Sequence, residues 1–144
     1  MKMLRERLNP TTWGYQTWRK FFLIASLWNF SFVVPALLFP SLEVRLMYGF
    51  RTDDFYILFL NTTFFLTVLV FGIGYLIIAY DPGKNLGIVL LGIIGKTMVG
   101  IGFYYLYSID RVTLMPVFGG TGDLLFTLYF IYYLAKGPKS ELQT

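Results

Sequence analysis

Few side chains in this sequence are equipped for chemistry, and two of them stand where charge is costly. Lys96, in "GIIGKTMVG" (residues 92–100), is the only charged residue from Leu86 to Tyr107. Asp123, in "TGDLLF", is the only one within residues 112–135. An ammonium and a carboxylate in apolar surroundings can pair, hold a polar head group or exchange a proton. Asn29, Asn61 with Thr62 and Thr63, and Thr121 are the other polar candidates inside apolar runs. The chain has no cysteine and no histidine. That removes disulfides, thiolate or imidazole metal sites, His-ligated haem, and Ser-His-Asp or Cys-His catalysis. No metal site and no cofactor is expected. The G-x-G triplets at 72–74 and 100–102 lie inside apolar runs, not in a strand-turn-helix unit, so no nucleotide site follows. "NTT" at Asn61 matches a glycosylation sequon but falls within a span.

The elements that must position these groups are transmembrane helices. Of 144 residues, 56% are hydrophobic, 20% aromatic and 14% charged, against roughly 25% charged in ordinary globular domains. Such a chain lacks the polar surface to cover a core in water. It reads as one all-α membrane domain over residues 1–144. A spanning helix needs about 20 apolar residues, and four stretches qualify: 21–39, 55–80, 86–107 and 112–135. The first is too long for a signal-peptide core and lacks a small-residue cleavage site, so it reads as an uncleaved helix. Pro40 closes it, and "DPGKN" (81–85) is a tight turn. With the N-terminus inside, the inner side holds Lys2, Arg5, Arg7, Arg19, Lys20, Lys84, Lys136 and Lys139; the outer side holds Arg45, Arg51 and Arg111. This bias predicts both termini to be cytoplasmic. It also accounts for the net charge of +4 without nucleic acid.

Trp13, Tyr15 and Trp18, Tyr104, Tyr105 and Tyr107, and Tyr129, Tyr132 and Tyr133 read as interfacial belts. "NPTTWGYQTW" (9–18) reads as a short helix on the inner face, with Thr11 or Thr12 near its start. Residues 40–54 read as a solvated outer loop, with a lid folded over the bundle mouth as the alternative. "GPKSELQT" reads as a soluble tail.

Depth decides whether the two buried charges meet. Lys96 lies 14 residues before Asp110 and Asp123 lies 13 after it. At ~1.5 Å per residue both sit about 20 Å from that hairpin tip. The antiparallel third and fourth spans therefore predict a Lys96–Asp123 ion pair near the midplane. Gly92, Gly95 and Gly102 on one helix and Gly119, Gly120 and Gly122 on the other allow close approach. The last three, with Pro116, also weaken the fourth span. A break there would make Thr121 the cap of a half-helix with Asp123 in its first turn. Asn29, at comparable depth, joins the network. Asn61 lies nearer the outer face, where its amide bonds a backbone carbonyl.

Three stretches carry a family likeness: "LWNFSFVVPALLFP" (27–40), "GIGYLIIAYDPGKNLGIVLLGIIGKTMVGIGF" (72–103) and "TGDLLFTLYFIYYL" (121–134). Their layout over residues 21–134 resembles small bacterial four-helix membrane proteins of DoxX-like appearance. The resemblance implies a bacterial inner-membrane protein that sits beside oxidoreductases as a membrane subunit. More distant emopamil-binding and sigma-2-like bundles hold hydrophobic ligands beside buried acidic residues; their histidines have no counterpart here.

The leading expectation is a bundle embedded in membrane lipid that binds a small hydrophobic or amphiphilic molecule (lipid, quinone or sterol-like). Lys96, Asp123, Asn29, Asn61 and Thr121 would line its polar site. A proton- or ion-coupled transporter acting as a homodimer is one alternative. An accessory subunit of a larger membrane complex, with Lys96–Asp123 as a structural lock, is another. An enzyme is the least favoured, since no nucleophile-base motif accompanies the pair.

Overall fold

A computed structural model describes residues 14–138. Among them are five helices and no strand: α1 (Tyr15–Leu38), α2 (Pro40–Tyr48), α3 (Phe55–Tyr80), α4 (Leu86–Ser108) and α5 (Leu114–Lys136). All except α2 are long and apolar enough to cross a membrane. Large apolar side chains such as Leu60, Val70, Met98 and Leu128 cover their outer faces. This is the build of an integral membrane protein, whose solvent for those faces is lipid.

Local chemistry explains the boundaries. Asp54 caps α3 by accepting from the Ile57 N–H at 3.0 Å, and Thr113 caps α5 through the Met115 N–H at 3.3 Å. Helix α1 ends at Leu38, and Phe39, held non-helical before Pro40, separates it from α2. Pro40 opens α2 at the first helical position, where its missing N–H costs nothing. Gly49 ends α2 at φ +80°, the left-handed conformation that glycine adopts freely.

Three expectations change here. Residues 40–48 form a helix with Glu43, Val44 and Met47 buried, rather than a solvated loop. The first span extends back to Tyr15, so Tyr15–Trp18 belong to α1 and not to a separate surface helix. Trp18 (1% exposed) and Tyr133 (2%) are core residues, not belt residues. Trp13, Thr11, Thr12 and the tail beyond residue 138 lie outside the described residues.

The long helices assemble as two close pairs, α1 with α3 and α4 with α5, with far sparser backbone approach between the pairs. Small side chains permit each pairing. On α1, Phe22, the pair Ala25 and Ser26, Asn29, Val33 and Ala36 follow one another at helical spacing and form one buried face. Ser26 Oγ on that face donates to the Gly72 carbonyl of α3 at 2.8 Å. On α4 the buried stripe is Val89, Gly92, Lys96 and Gly100. A Cβ built on Gly100 would lie 3.0 Å from the Gly120 carbonyl, so α4 and α5 touch backbone to backbone there.

Rings bridge the pairs at the end near the 81–85 turn. Phe22 stacks on Phe130 at 5.4 Å, and Tyr75 meets Phe130 edge-on at 5.0 Å. Trp18 packs on Tyr133 at 4.8 Å. The turn is tied to this cluster: the Gly83 N–H donates to Tyr133 Oη at 2.7 Å, and Tyr15 Oη donates to Asp81 at 2.8 Å. Lys84 pairs with Asp81 at 2.7 Å. The bond from Lys84, then that from Tyr15, holds the Asp81 carboxyl below its ordinary range, while the Asp81 carboxylate raises the Lys84 ammonium.

Candidate functional site

Lys96 and Gly100 are one turn apart on the buried stripe of α4, as Gly120 and Asp123 are on α5. The Gly100–Gly120 contact therefore brings the two charged residues face to face. The Lys96 ammonium pairs with Asp123 Oδ1 and donates to Asn29 Oδ1 of α1 at 3.0 Å. Asn29 Nδ2 in turn donates to the Val68 carbonyl of α3 at 3.1 Å. Trp28 Nε1 of α1 donates to Asp123 Oδ1 at 3.2 Å. One connected network thus ties all four long helices, and Lys96 (5% exposed) and Asn29 (4%) are buried in it. The ammonium also lies 5.5 Å from the ring centres of Tyr75 and Phe126, within cation–π range.

Beside this network the gap between the helix pairs widens into a cavity of about 330 Å³. Its polar end is Lys96, Asp123 and Asn29 with Trp28; its walls are apolar side chains of α1, α3, α4 and α5, and Met47 of α2 closes one side. Thr67 of α3 and Met98 of α4 both line the cavity and are exposed on the outer surface. The mouth therefore lies between α3 and α4. These helices touch near their turn, where a Cβ on Gly74 would come 2.8 Å from Ile88, and further along side chains bridge them, Phe71 against Gly95 and Phe64 edge-on to Phe103 at 6.2 Å.

The remaining expected site residues lie elsewhere. Helix α5 runs unbroken through Gly119, Gly120 and Gly122. Thr121 is consequently not a cap: its hydroxyl donates to the Val117 carbonyl and meets Tyr104 Oη at 2.7 Å on the exposed side. The nearby glycines serve packing, since a Cβ on Gly122 would fall 2.1 Å from the Trp28 ring. Asn61 is buried at 4% exposure, but its amide has no hydrogen-bond partner among the described residues and it does not line the cavity. Gly102, expected on the helix contact, faces open space; Gly100 takes that place.

Two residues of the site were not anticipated from sequence. Trp28 has an indole N–H that needs an acceptor once buried, and its position next to Asn29 was the available signal. Tyr75 lines the cavity fully buried, with a hydroxyl that has no hydrogen-bond partner among the described residues. Among the described residues no three His, Cys, Asp or Glu side chains group closely enough to share a metal ion.

No protein-family model, curated protein or solved structure matches the chain.

Proposed function

We propose that this protein binds a small hydrophobic or amphiphilic molecule in the central cavity, with its polar end at Lys96, Asp123 and Asn29 and its apolar part along the walls. The observation that carries this reading is the cavity itself. It adjoins a charged network in which Lys96 is buried and Asp123 part-buried, and its size falls in the range of ligand pockets, roughly 300–1,000 Å³. A bare register lock has no need of empty space beside it, because close packing is the ordinary state of protein interiors. The mouth between α3 and α4 faces the direction from which a membrane-dissolved molecule arrives.

In this proposal the protein resides in a bacterial inner membrane with both termini inside. The excess of lysine and arginine on that side supports the orientation, and the DoxX-like layout supports the location.

Solvent extraction and mass spectrometry of the purified full chain test the proposal, alongside Lys96→Met, Asp123→Asn and the double variant. Each single change strands a buried polar partner and lowers stability by about 3–5 kcal/mol. The double variant recovers most of that loss and no longer retains the molecule that co-purifies with the parent. A parent chain that carries nothing, or a double variant that retains the same molecule, refutes the cavity as a ligand site.

A further inference from the structure

Resting on the ligand-binding reading, the chemistry of the cavity also selects the class of head group. Lys96 and Asp123 are the only ionisable groups of opposite sign in contact there, and they sit in direct contact. Whichever of the two holds the shared proton, their combined charge is zero. A phosphate, carboxylate or quaternary ammonium entering the cavity would bring a net charge into low dielectric with no counterion left to meet it. An uncharged head group meets no such barrier.

Hydrogen-bonding capacity remains at the same spot. Both side-chain bonds to Asp123 end on Oδ1, so Oδ2 accepts from no described residue. Lys96 engages two of its three N–H donors. Tyr75 Oη, on a residue with 0% exposure, has neither donor nor acceptor opposite it among the described residues. It lies against Gly92, where a Cβ would approach to 2.6 Å, so glycine at that position makes its room. A buried hydroxyl without a partner costs about 1–3 kcal/mol, and a bound molecule that supplies the partner removes the cost. A ketone or ester carbonyl only accepts, which leaves Asp123 Oδ2 unmet. A hydroxyl both donates and accepts, and so serves Asp123 Oδ2 together with Lys96 or Tyr75.

We infer that the cavity takes an uncharged, hydroxyl-headed lipid with a single chain, such as a monoacylglycerol or long-chain alcohol, and that Tyr75 is an unassigned hydrogen-bonding residue for its head. The cavity volume suits one chain rather than two. The chain leaves through the mouth flanked by Thr67 and Met98.

The test uses the full chain in zwitterionic nanodiscs and three dodecyl probes brominated at the chain carbons nearest the head group: a monoacylglycerol, an alkyl phosphate and an alkyltrimethylammonium. Binding is read as quenching of Trp28 fluorescence, with quenching that persists in Trp28→Phe subtracted, and affinity is expressed per mole fraction of probe in the bilayer. The glycerol probe should bind at least about tenfold more tightly than either charged probe, the ratio that 1.4 kcal/mol produces. Tyr75→Phe should bind it about three- to tenfold more weakly while its unliganded melting temperature stays equal or rises, since a hydroxyl without a partner has been removed. A merely structural tyrosine would not move these two readouts in opposite directions. A charged probe that equals or exceeds the glycerol probe overturns the head-group assignment. An unchanged affinity in Tyr75→Phe overturns the role of that residue. Absence of Trp28-dependent quenching by all three probes overturns the ligand site itself, a distinct failure.

Discussion

The two halves of the bundle are built from the same four long helices and yet end up filled differently. Toward the 81–85 turn, Trp18, Phe22, Tyr75, Phe130 and Tyr133 bridge the helix pairs ring against ring, and the space between the pairs is full. In the other half a smaller cluster of Val33, Ala36, Met47 and Phe65 packs along α1–α3, and the gap between the pairs stays open as the cavity. The Lys96–Asp123–Asn29 network sits at the boundary. Within each pair small residues make a close contact, Ser26 on Gly72 in one and Gly100 on Gly120 in the other. What differs is how the bridging rings pack: in the open half Trp28–Phe118 at 5.7 Å and Phe64–Phe103 at 6.2 Å cross between the pairs without filling the space. One half acts as a rigid clamp that sets the spacing of the pairs, and that spacing leaves room in the other half.

If the ring-filled half is the clamp, the heaviest losses belong there. Phe130→Ala removes a fully buried ring that meets Phe22 and Tyr75, and should cost about 3–5 kcal/mol in denaturant unfolding. Phe64→Ala, on the part-buried cavity wall, should cost less than about 2 kcal/mol, because it enlarges a space that is already empty. Equal costs would erase the distinction between the halves. At the boundary, Gly122→Ala drives a methyl into the Trp28 ring and should cost about 1–3 kcal/mol, with a shifted tryptophan emission as the indole leaves Asp123. Gly102→Ala faces open space and should stay within about 0.5 kcal/mol of the parent.

A pH-dependent effect concerns α2, which borders the open half. Burial of Glu43 (3% exposed) pushes its carboxyl above the ordinary value of 4.5. A carboxyl raised in the folded state contributes stability that is complete below its unfolded pKa and is lost as pH rises through the folded value. Stability should therefore decline from acid toward neutral pH across that window. Glu43→Gln should flatten the decline and add about 1 kcal/mol at pH 7, read by unfolding at a series of pH values. An unchanged pH profile would show that Glu43 is not the group responsible.

Sequence periodicity and residue counting brought out the parts of this arrangement that depend on one helix or one hairpin. The apolar runs at 55–80 and 86–107 match α3 and α4 to within one residue, because apolar length and the DPGKN turn define them locally. Counting from Asp110 placed Lys96 and Asp123 at one depth for the same reason, and their side chains meet in the structure. Features that depend on contacts between helices were harder to read. The glycines before Asp123 suggested a broken helix when considered along one chain segment. Against Gly100 and Trp28 they are contact surfaces, and α5 continues through them. Helix α2 was hidden by its charges, although Val44 and Met47 after Pro40 carried the signal of a buried face. Tyr75 looked like any aromatic in a span. Its importance lies in a missing partner, which no sequence pattern records.

The bond from Lys96 to Asn29 has a consequence for the order in which the chain is made. A lysine at the centre of a helix costs about 2.5–3.5 kcal/mol on entering the bilayer, and its counterion is synthesised after it. Asp123 follows Lys96 by 27 residues, whereas Asn29 precedes it by 67. When α4 is threaded into the membrane, an acceptor for its ammonium has already been synthesised on the first helix. The asparagine thus serves as an early placeholder, and the carboxylate completes the site when the last helix arrives.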